Sequence, residues 1–224
     1  MKRFLLLTGI GILGLVIYMG SQVYSYAKGV QADTPKFIES FLKNQIQNGD
    51  IIFHTSNSSQ SKAIQIATNS PYSHMGIIYD IENNWFVYEA VQPVKLTPLD
   101  AWIKRGNKGH YVIKRLKNAD EVLSQQTLIK MKSTGEKYLG RDYDLLFEWS
   151  NEKIYCSELV WKIYKEGAGI EIGSLGQYSD FDLSHPAVAQ KVAERFAGSP
   201  PLKEKVISPA EMFNSNKLET VFKN

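Results

Sequence analysis

The period of the apolar positions changes several times along this chain, and each change marks an element. Phe37, Ile38, Phe41, Leu42 and Ile46 recur at helical spacing and predict an amphipathic lead-in over residues 32–48. Gly49-Asp50 interrupts that pattern, and Ile51-Ile52-Phe53 follows as a short apolar run of strand character. A polar loop over 55–60 leads to a brief helix over 62–68. Asn69-Ser70-Pro71 ends it, because the residue before a proline is pushed out of the helical region. Residues 72–81 and 85–91, rich in β-branched and aromatic side chains, flank Glu82-Asn83-Asn84 and predict a β-hairpin. With Asn83-Asn84 as a two-residue turn, Glu82 pairs with Trp85. Glu89 then falls opposite Ile78, on the face of His74 but roughly 13 Å along the strand.

Farther on, Thr97-Pro98-Leu99-Asp100 reads as a helix start with Thr97 as N-cap and Pro98 in the first helical position, stopping at Gly106. A strand over 110–116 and a long helix over 119–139, closed by Gly140, follow. Leu159, Val160, Ile163 and Tyr164 make the apolar stripe of a strong helix over 156–166 with Gly167 as its stop. Residues 170–201 are polar and irregular apart from a helix over 187–196. Ser208-Pro209-Ala210-Glu211 is a capping box opening a short helix to Phe213, and 218–222 suits a last strand. The chain shows no internal repeat and no low-complexity segment.

The opening residues have a different pattern. Lys2-Arg3 precedes an uncharged apolar run over 4–20, and Ser25-Tyr26-Ala27 offers a small-x-small site before Lys28. The run is long for a signal-peptide core and short for a membrane span, so residues 1–27 are either a cleaved export signal or a retained N-terminal anchor. No Cys follows the run for lipidation. Either way the body, a helical lead-in over 28–48 and one catalytic domain over 49–224, is expected outside the cytoplasmic membrane, periplasmic or extracytoplasmic, with Lys2 and Arg3 left inside.

Composition narrows the classes. With 43% hydrophobic and 22% charged residues the chain is ordinary globular material. The net charge of +3 owes two units to Lys2 and Arg3, which leaves no electrostatic case for nucleic acid. Cys156 is the single cysteine, so no internal disulfide can form. A lone exported thiol is either a small buried hydrophobe or a reactive group.

Position favours reactivity. Cys156 falls at a predicted helix N-terminus, where unpaired backbone N–H groups and the helix dipole favour a thiolate. A thiolate needs a base, and four histidines compete. His74, in Ser73-His74-Met75-Gly76-Ile77-Ile78, sits at the mouth of an otherwise apolar strand whose glycine lets another element approach. His54, His110 and His185 read as surface or capping residues. Glu158 reads as a first-turn acid favoured by the dipole, and Arg141, Asp142 and Asp144 as a solvated turn. His, Cys, Asp and Glu do not occur at the short paired spacings of zinc sites, so neither a metal nor another cofactor is expected.

Five segments in order, GDIIF (49–53), YSHMGII (72–78), VYEAV (87–91), LGRDYD (139–144) and YCSELVW (155–161), resemble the YiiX-type proteins, in the circularly permuted branch of the NlpC-type papain-like hydrolases. The resemblance runs from about residue 49 to the C-terminus. It implies an α+β papain-like fold in which an antiparallel sheet carrying the His strand packs against a helix bearing the Cys at its N-terminus, with the histidine first in the chain. It implies Cys156 as nucleophile, His74 as base and Glu89 as the third, orienting residue. Tyr155 matches a position near the family's site, where it would bind substrate or polarise its carbonyl. The implied chemistry is hydrolysis of an amide or ester through an acyl-enzyme thioester. The usual substrates of the wider superfamily are peptidoglycan stem peptides, which with export predicts a cell-envelope target. The permuted branch also resembles lecithin:retinol acyltransferase and its relatives, so a lipid-directed acyltransferase, thioesterase or amidase is the second expectation. A binding protein on an inactive scaffold is the third, and the presence of both Cys156 and His74 counts against it.

Overall fold

The computed structural model describes residues 45–224. The export segment and nearly all of the helical lead-in expected for residues 1–48 lie outside the described residues. Among those described, no helix is long and apolar enough to cross a membrane.

The first half of the chain builds most of one sheet. Its strands are β1 (Ile51–Ser56), β2 (His74–Ile81), β3 (Asn84–Glu89), β4 (Lys95–Pro98) and β5 (Gly106–Leu116), with helix α1 (Ser59–Ala67) between β1 and β2 and α2 (Leu99–Arg105) between β4 and β5. Two short helices, α3 (Ala119–Val122) and α4 (Gln125–Glu136), lead to a two-residue parallel pair, β6 (Asp142–Tyr143) and β7 (Lys153–Ile154). Helix α5 (Cys156–Ala168) follows directly. The remainder holds β8 (Gly176–Gln177), α6 (Pro186–Phe196), β9 (Lys205–Val206), α7 (Pro209–Phe213) and β10 (Leu218–Lys223). The main sheet has the order β10-β5-β1-β2-β3-β4 and is antiparallel throughout.

Successive side chains of a strand point to opposite faces, and in β1 Ile51, Ile52 and Phe53 are all fully buried, so the sheet is covered on both sides. On one face Ile52, Ile78, Val87 and Ile113 pack with Leu99 and Trp102 of α2. Helix α5 packs along β2, and α4 packs along α5. Gly167 makes that second contact possible, since a Cβ on it would lie 2.6 Å from the Cα of Met131. The glycine expected to end α5 is therefore a packing residue, and Gly169, with φ +73°, caps the helix two residues later.

Two other expectations give way locally. The helix predicted over 119–139 is broken at Leu123-Ser124, where Ser124 turns out and accepts a hydrogen bond from the Thr127 N–H to start α4. Thr97 does not cap α2. It belongs to β4, opposite Val87, and Pro98 occupies the cap position without a side-chain bond.

The hairpin register matters most. Ile81 pairs with Asn84 across the two-residue turn Glu82-Asn83, both residues having positive φ as a type I′ turn requires. The turn is thus one residue earlier than Asn83-Asn84, and Tyr88 comes opposite Ile77. Glu89 is carried to Gly76, two residues nearer His74 than expected. Gly76 permits this approach. A Cβ there would lie 2.4 Å from Val87 Cγ1 and 2.8 Å from the Tyr88 carbonyl oxygen.

Candidate active site

Cys156 is the first residue of α5, with Tyr155 extended in the N-cap position. Its thiol is buried, with the side chains of His74 and Tyr143 as its polar neighbours. The clip made by β6 and β7 explains the second contact. Pairing Tyr143 with Ile154 sets the tyrosine beside the entry to α5. Gln92 braces that clip, accepting from the Tyr143 N–H at 2.7 Å and donating to Asp142 at 2.5 Å. Gln60 Nε2 donates to the Tyr143 hydroxyl at 3.2 Å, which leaves the phenolic proton for the sulfur.

His74 opens β2 with its side chain 12% exposed. Its Nε2 lies 2.6 Å from Glu89 Oε2, leaving Nδ1 for Cys156. Glu89 is wholly buried and surrounded by donors. Its Oε1 accepts from the Thr97 hydroxyl at 2.5 Å and from the Arg105 guanidinium; its Oε2 accepts from the Trp102 indole N–H at 2.9 Å as well as from His74. Burial pushes this carboxyl up, but His74 and Arg105 outweigh it and hold it at about 2. For His74 burial works against the imidazolium. Hydrogen bonds and charge from Cys156 and Glu89 reverse the sign and raise it to about 9. The buried Glu89 anion on one side and the sulfur on the other keep the proton on the imidazole.

His54 stands directly opposite His74 in the β1–β2 register. It is buried rather than at the surface, its ring stacked on Trp102 with centroids 3.9 Å apart. His110 Nδ1 donates to the carbonyl oxygen of Asn224, 2.8 Å away at the exposed sheet edge, and His185 caps α6. Tyr155 is 2% exposed, and its hydroxyl accepts from the Ile207 N–H at 3.2 Å. The phenol that meets Cys156 is instead Tyr143. Tyr143 lies among the charged residues of LGRDYD, and a two-residue strand is too short to show a period. Asp144 is buried, not solvated, and accepts from the N–H groups of Leu146 and Glu148 at 2.8 and 2.6 Å. Glu158 is fully buried and ion-paired with Lys162 at 2.7 Å, which also donates to Asn151 at 2.8 Å. Burial pushes Glu158 up to about 7 against the pull of Lys162.

Two spaces meet at these residues. Cys156 lines an apolar chamber of about 690 Å³, counting its mouth, between α1, α6 and the loop before α7. His74 lines a separate, more open groove of mixed character, with Ser56, Ser73 and Gln92 beside Ala90, Val91 and Leu145. Gln60, Ile64 and Tyr143 form the wall shared by both.

The arrangement agrees with comparisons to known proteins. A protein of Escherichia coli strain K12, described as uncharacterized protein YiiX, is 46% identical over 179 residues, spanning 80% of this chain and 87% of that protein. A crystal structure of metalloprotein yiiX from Escherichia coli O157:H7 superposes with a TM-score of 0.77 at 46% identity, covering 80% of this chain and 98% of that one. Among the described residues no three His, Cys, Asp or Glu side chains converge as a metal would require, and both ring nitrogens of His74 are engaged. These residues do not fit a metal centre, and no step below passes through one. The description that matches residues 45–222 is that of a permuted papain-like amidase. With a buried thiol at a helix N-terminus, an imidazole from an earlier strand and an antiparallel sheet behind them, the chain belongs to the permuted papain-like amidases of the YaeF/YiiX, C92 family.

Proposed function

We propose that this cysteine hydrolase cleaves an amide or ester outside the cytoplasmic membrane through an acyl thioester on Cys156, with His74 as base and then acid and Glu89 as the orienting carboxylate. The observation that carries the reading is the arrangement in which buried Glu89 hydrogen-bonds the imidazole of His74 and that imidazole stands beside the sulfur of Cys156. The thiolate attacks the carbonyl carbon. The Tyr143 hydroxyl and the N–H groups exposed at the start of α5 are the donors nearest the oxygen that becomes negative. The imidazolium proton passes to the leaving nitrogen or oxygen as its bond to carbon breaks, and the thioester remains. Water then gives a proton back to His74 and its oxygen to the acyl carbon, releasing a carboxylic acid and restoring the thiolate. Export and a cell-envelope substrate rest on the pattern of residues 1–27. Of the two substrate classes expected there, stem peptide and acyl lipid, the apolar chamber beside Cys156 favours the second. The engaged thiol and imidazole argue against an inactive binding scaffold.

The test is intact-protein mass spectrometry after incubation with envelope extract and a thiol-directed acyl probe. Wild-type protein should carry one adduct on Cys156, and Cys156→Ala and Cys156→Ser should carry none and lose turnover while keeping the fold, since Ser is well tolerated where a helix begins. Turnover by Cys156→Ala would end this reading.

A further inference from the structure

Glu89 is a single buried anion set between two cations, and the fold treats the two differently. Each carboxylate oxygen is already held by a donor without charge. Oε1 accepts from the Thr97 hydroxyl at 2.5 Å and Oε2 from the Trp102 indole N–H at 2.9 Å. The side chains that add charge are His74 on Oε2 and the Arg105 guanidinium on Oε1. His74 is held inside, its side chain 12% exposed, whereas that of Arg105 is 41% exposed. Arg105 is the last residue of α2, and Gly106 turns the chain at once into β5. A Cβ on Gly106 would lie 2.9 Å from His54 Nδ1 and 3.2 Å from the Ile103 carbonyl oxygen, so the turn lies close against β1. Arg105 thus meets the carboxylate from the groove that His74 also lines.

Thr97 and Trp102 fix where the carboxylate lies, so its geometry does not need Arg105. What Arg105 brings, and those two do not, is a positive charge. That charge stabilises the anion, and it also cancels part of the field with which the anion holds a proton on His74. The other groups around the pair leave this balance to Arg105. From β1, His54 faces it as a neutral ring, lowered to about 3 by burial and by the charges of His74 and Arg105. On α2, Lys104 is paired with Asp100 at 3.3 Å. Lys95 stands opposite Glu89 in the β3–β4 register, and among the described residues the ion pairs of Glu89 are with His74 and Arg105. Cys156 of α5 and Tyr143 of β6 stand at the sulfur end of the imidazole.

We infer that Arg105 is a positioning residue that acts by charge: it shares Glu89 with His74, so that the imidazolium is held firmly enough to face the sulfur and loosely enough to hand its proton to the leaving group. An acid works best when its affinity for the proton suits the working pH, and an imidazole alone with a buried carboxylate would hold its proton too well. This rests on the catalytic reading above, in which His74 is the acid of the first step.

The experiment is an NMR titration of the four imidazoles in the full chain carrying Cys156→Ala, with and without Arg105→Gln. Losing the guanidinium should raise His74 by roughly half a unit to one unit, the effect left to a neighbouring charge that solvent partly screens. His54 should move up with it, while His110 at the sheet edge and His185 at the start of α6 stay where they are. A guanidinium that only props the carboxylate predicts the opposite sign, because a displaced Glu89 holds the proton less well. With Cys156 restored, Arg105→Gln should move the alkaline limb of 4-nitrophenyl acetate hydrolysis further toward alkali and lower kcat roughly threefold to tenfold with KM little changed. Arg105→Lys, which keeps the charge, should bring the limb back toward the wild-type position. If Arg105→Gln does not fold, salt takes its place. Raising sodium chloride from about 0.02 to about 1 M screens the half-exposed guanidinium more than the buried pair, so His74 should rise with salt in the Cys156→Ala protein. His74 unmoved or lowered, in the variant or in that salt series, overturns the inference and leaves the Cys156 mechanism standing. Turnover that survives Cys156→Ala overturns the mechanism, and the titration tells that failure apart from a failure of charge sharing.

Discussion

His54 and His74 face each other across β1 and β2 with ring centroids 5.3 Å apart, yet their surroundings drive them to opposite charge states. Burial, together with the positive charge of His74 and Arg105, lowers His54 to about 3 despite the Glu89 anion, while His74 is raised to about 9. Two like charges at that distance would repel, so the neutral ring is a condition for the charged one.

The stability profile should show it. A histidine neutral in the fold and free to take a proton when unfolded stabilises the fold fully above about pH 6.5, and that contribution is lost as pH falls toward 3. Glu158, raised to about 7, acts with the opposite sign between about 4.5 and 7, so the difference between proteins is the quantity to read. His54→Phe, which keeps a ring on Trp102, should gain on the order of 2 kcal/mol relative to wild type between pH 6.5 and 4.5 in urea unfolding. Parallel curves for the two proteins would mean that His54 takes up its proton normally in the fold.

Glu89 lends itself to a test by charge. Glu89→Gln keeps the length of the side chain and loses the anion, so activity should fall roughly 10²-fold. The alkaline limb of the kcat/KM profile, expected near pH 9 where the imidazolium gives up its proton, should move toward acid. Glu89→Ala also strands the buried Trp102 and Thr97 donors and should cost about 3–5 kcal/mol of stability. An unchanged rate with an unmoved limb in Glu89→Gln would reduce the site to a Cys156–His74 dyad.

Tyr143→Phe removes one hydroxyl and no packing. A hydrogen bond to a charged group is worth about 1.5–3 kcal/mol, so kcat should drop roughly 10- to 100-fold while KM and the melting temperature change little. Equal kcat in the two proteins would show that the hydroxyl serves only Gln60.

Gly76→Ala should separate His74 from Glu89 without touching either. The new methyl meets Val87 Cγ1 and the Tyr88 carbonyl, so β3 must move away, at a cost of about 1–3 kcal/mol and with a fall in rate. A variant with wild-type stability and rate would contradict the close approach at this position.

The local positions of Cys156 and His74 were legible in the sequence. Cys156 stood before an apolar helical stripe and His74 before an apolar strand, and both are there in the fold. What surrounds them was not legible, because it comes from a distance. Glu89 is completed by Thr97, Trp102 and Arg105, which only the packing of β4 and α2 brings to it. Thr97 had the local signature of a cap, and a buried carboxylate in need of donors outweighed it. The turn preference for Asn83-Asn84 yielded similarly, because only the Glu82-Asn83 turn places Gly76 where Val87 and Glu89 need room. Gly167 had the signature of a helix stop, and the helix crossing at Met131 claimed it.

The order of the strands bears on how the thiol comes to life. Five neighbouring strands, β5-β1-β2-β3-β4, are drawn from one continuous stretch, Ile51 to Leu116, and among the described residues only β10 joins the main sheet from beyond it. A chain emerging N-terminus first can therefore assemble His74, Glu89 and their donors by short-range pairing before Cys156 has been made. Cys156 arrives last, and it meets the imidazole only when α5 docks on β2, so the sulfur has no basic partner until the sheet is in place.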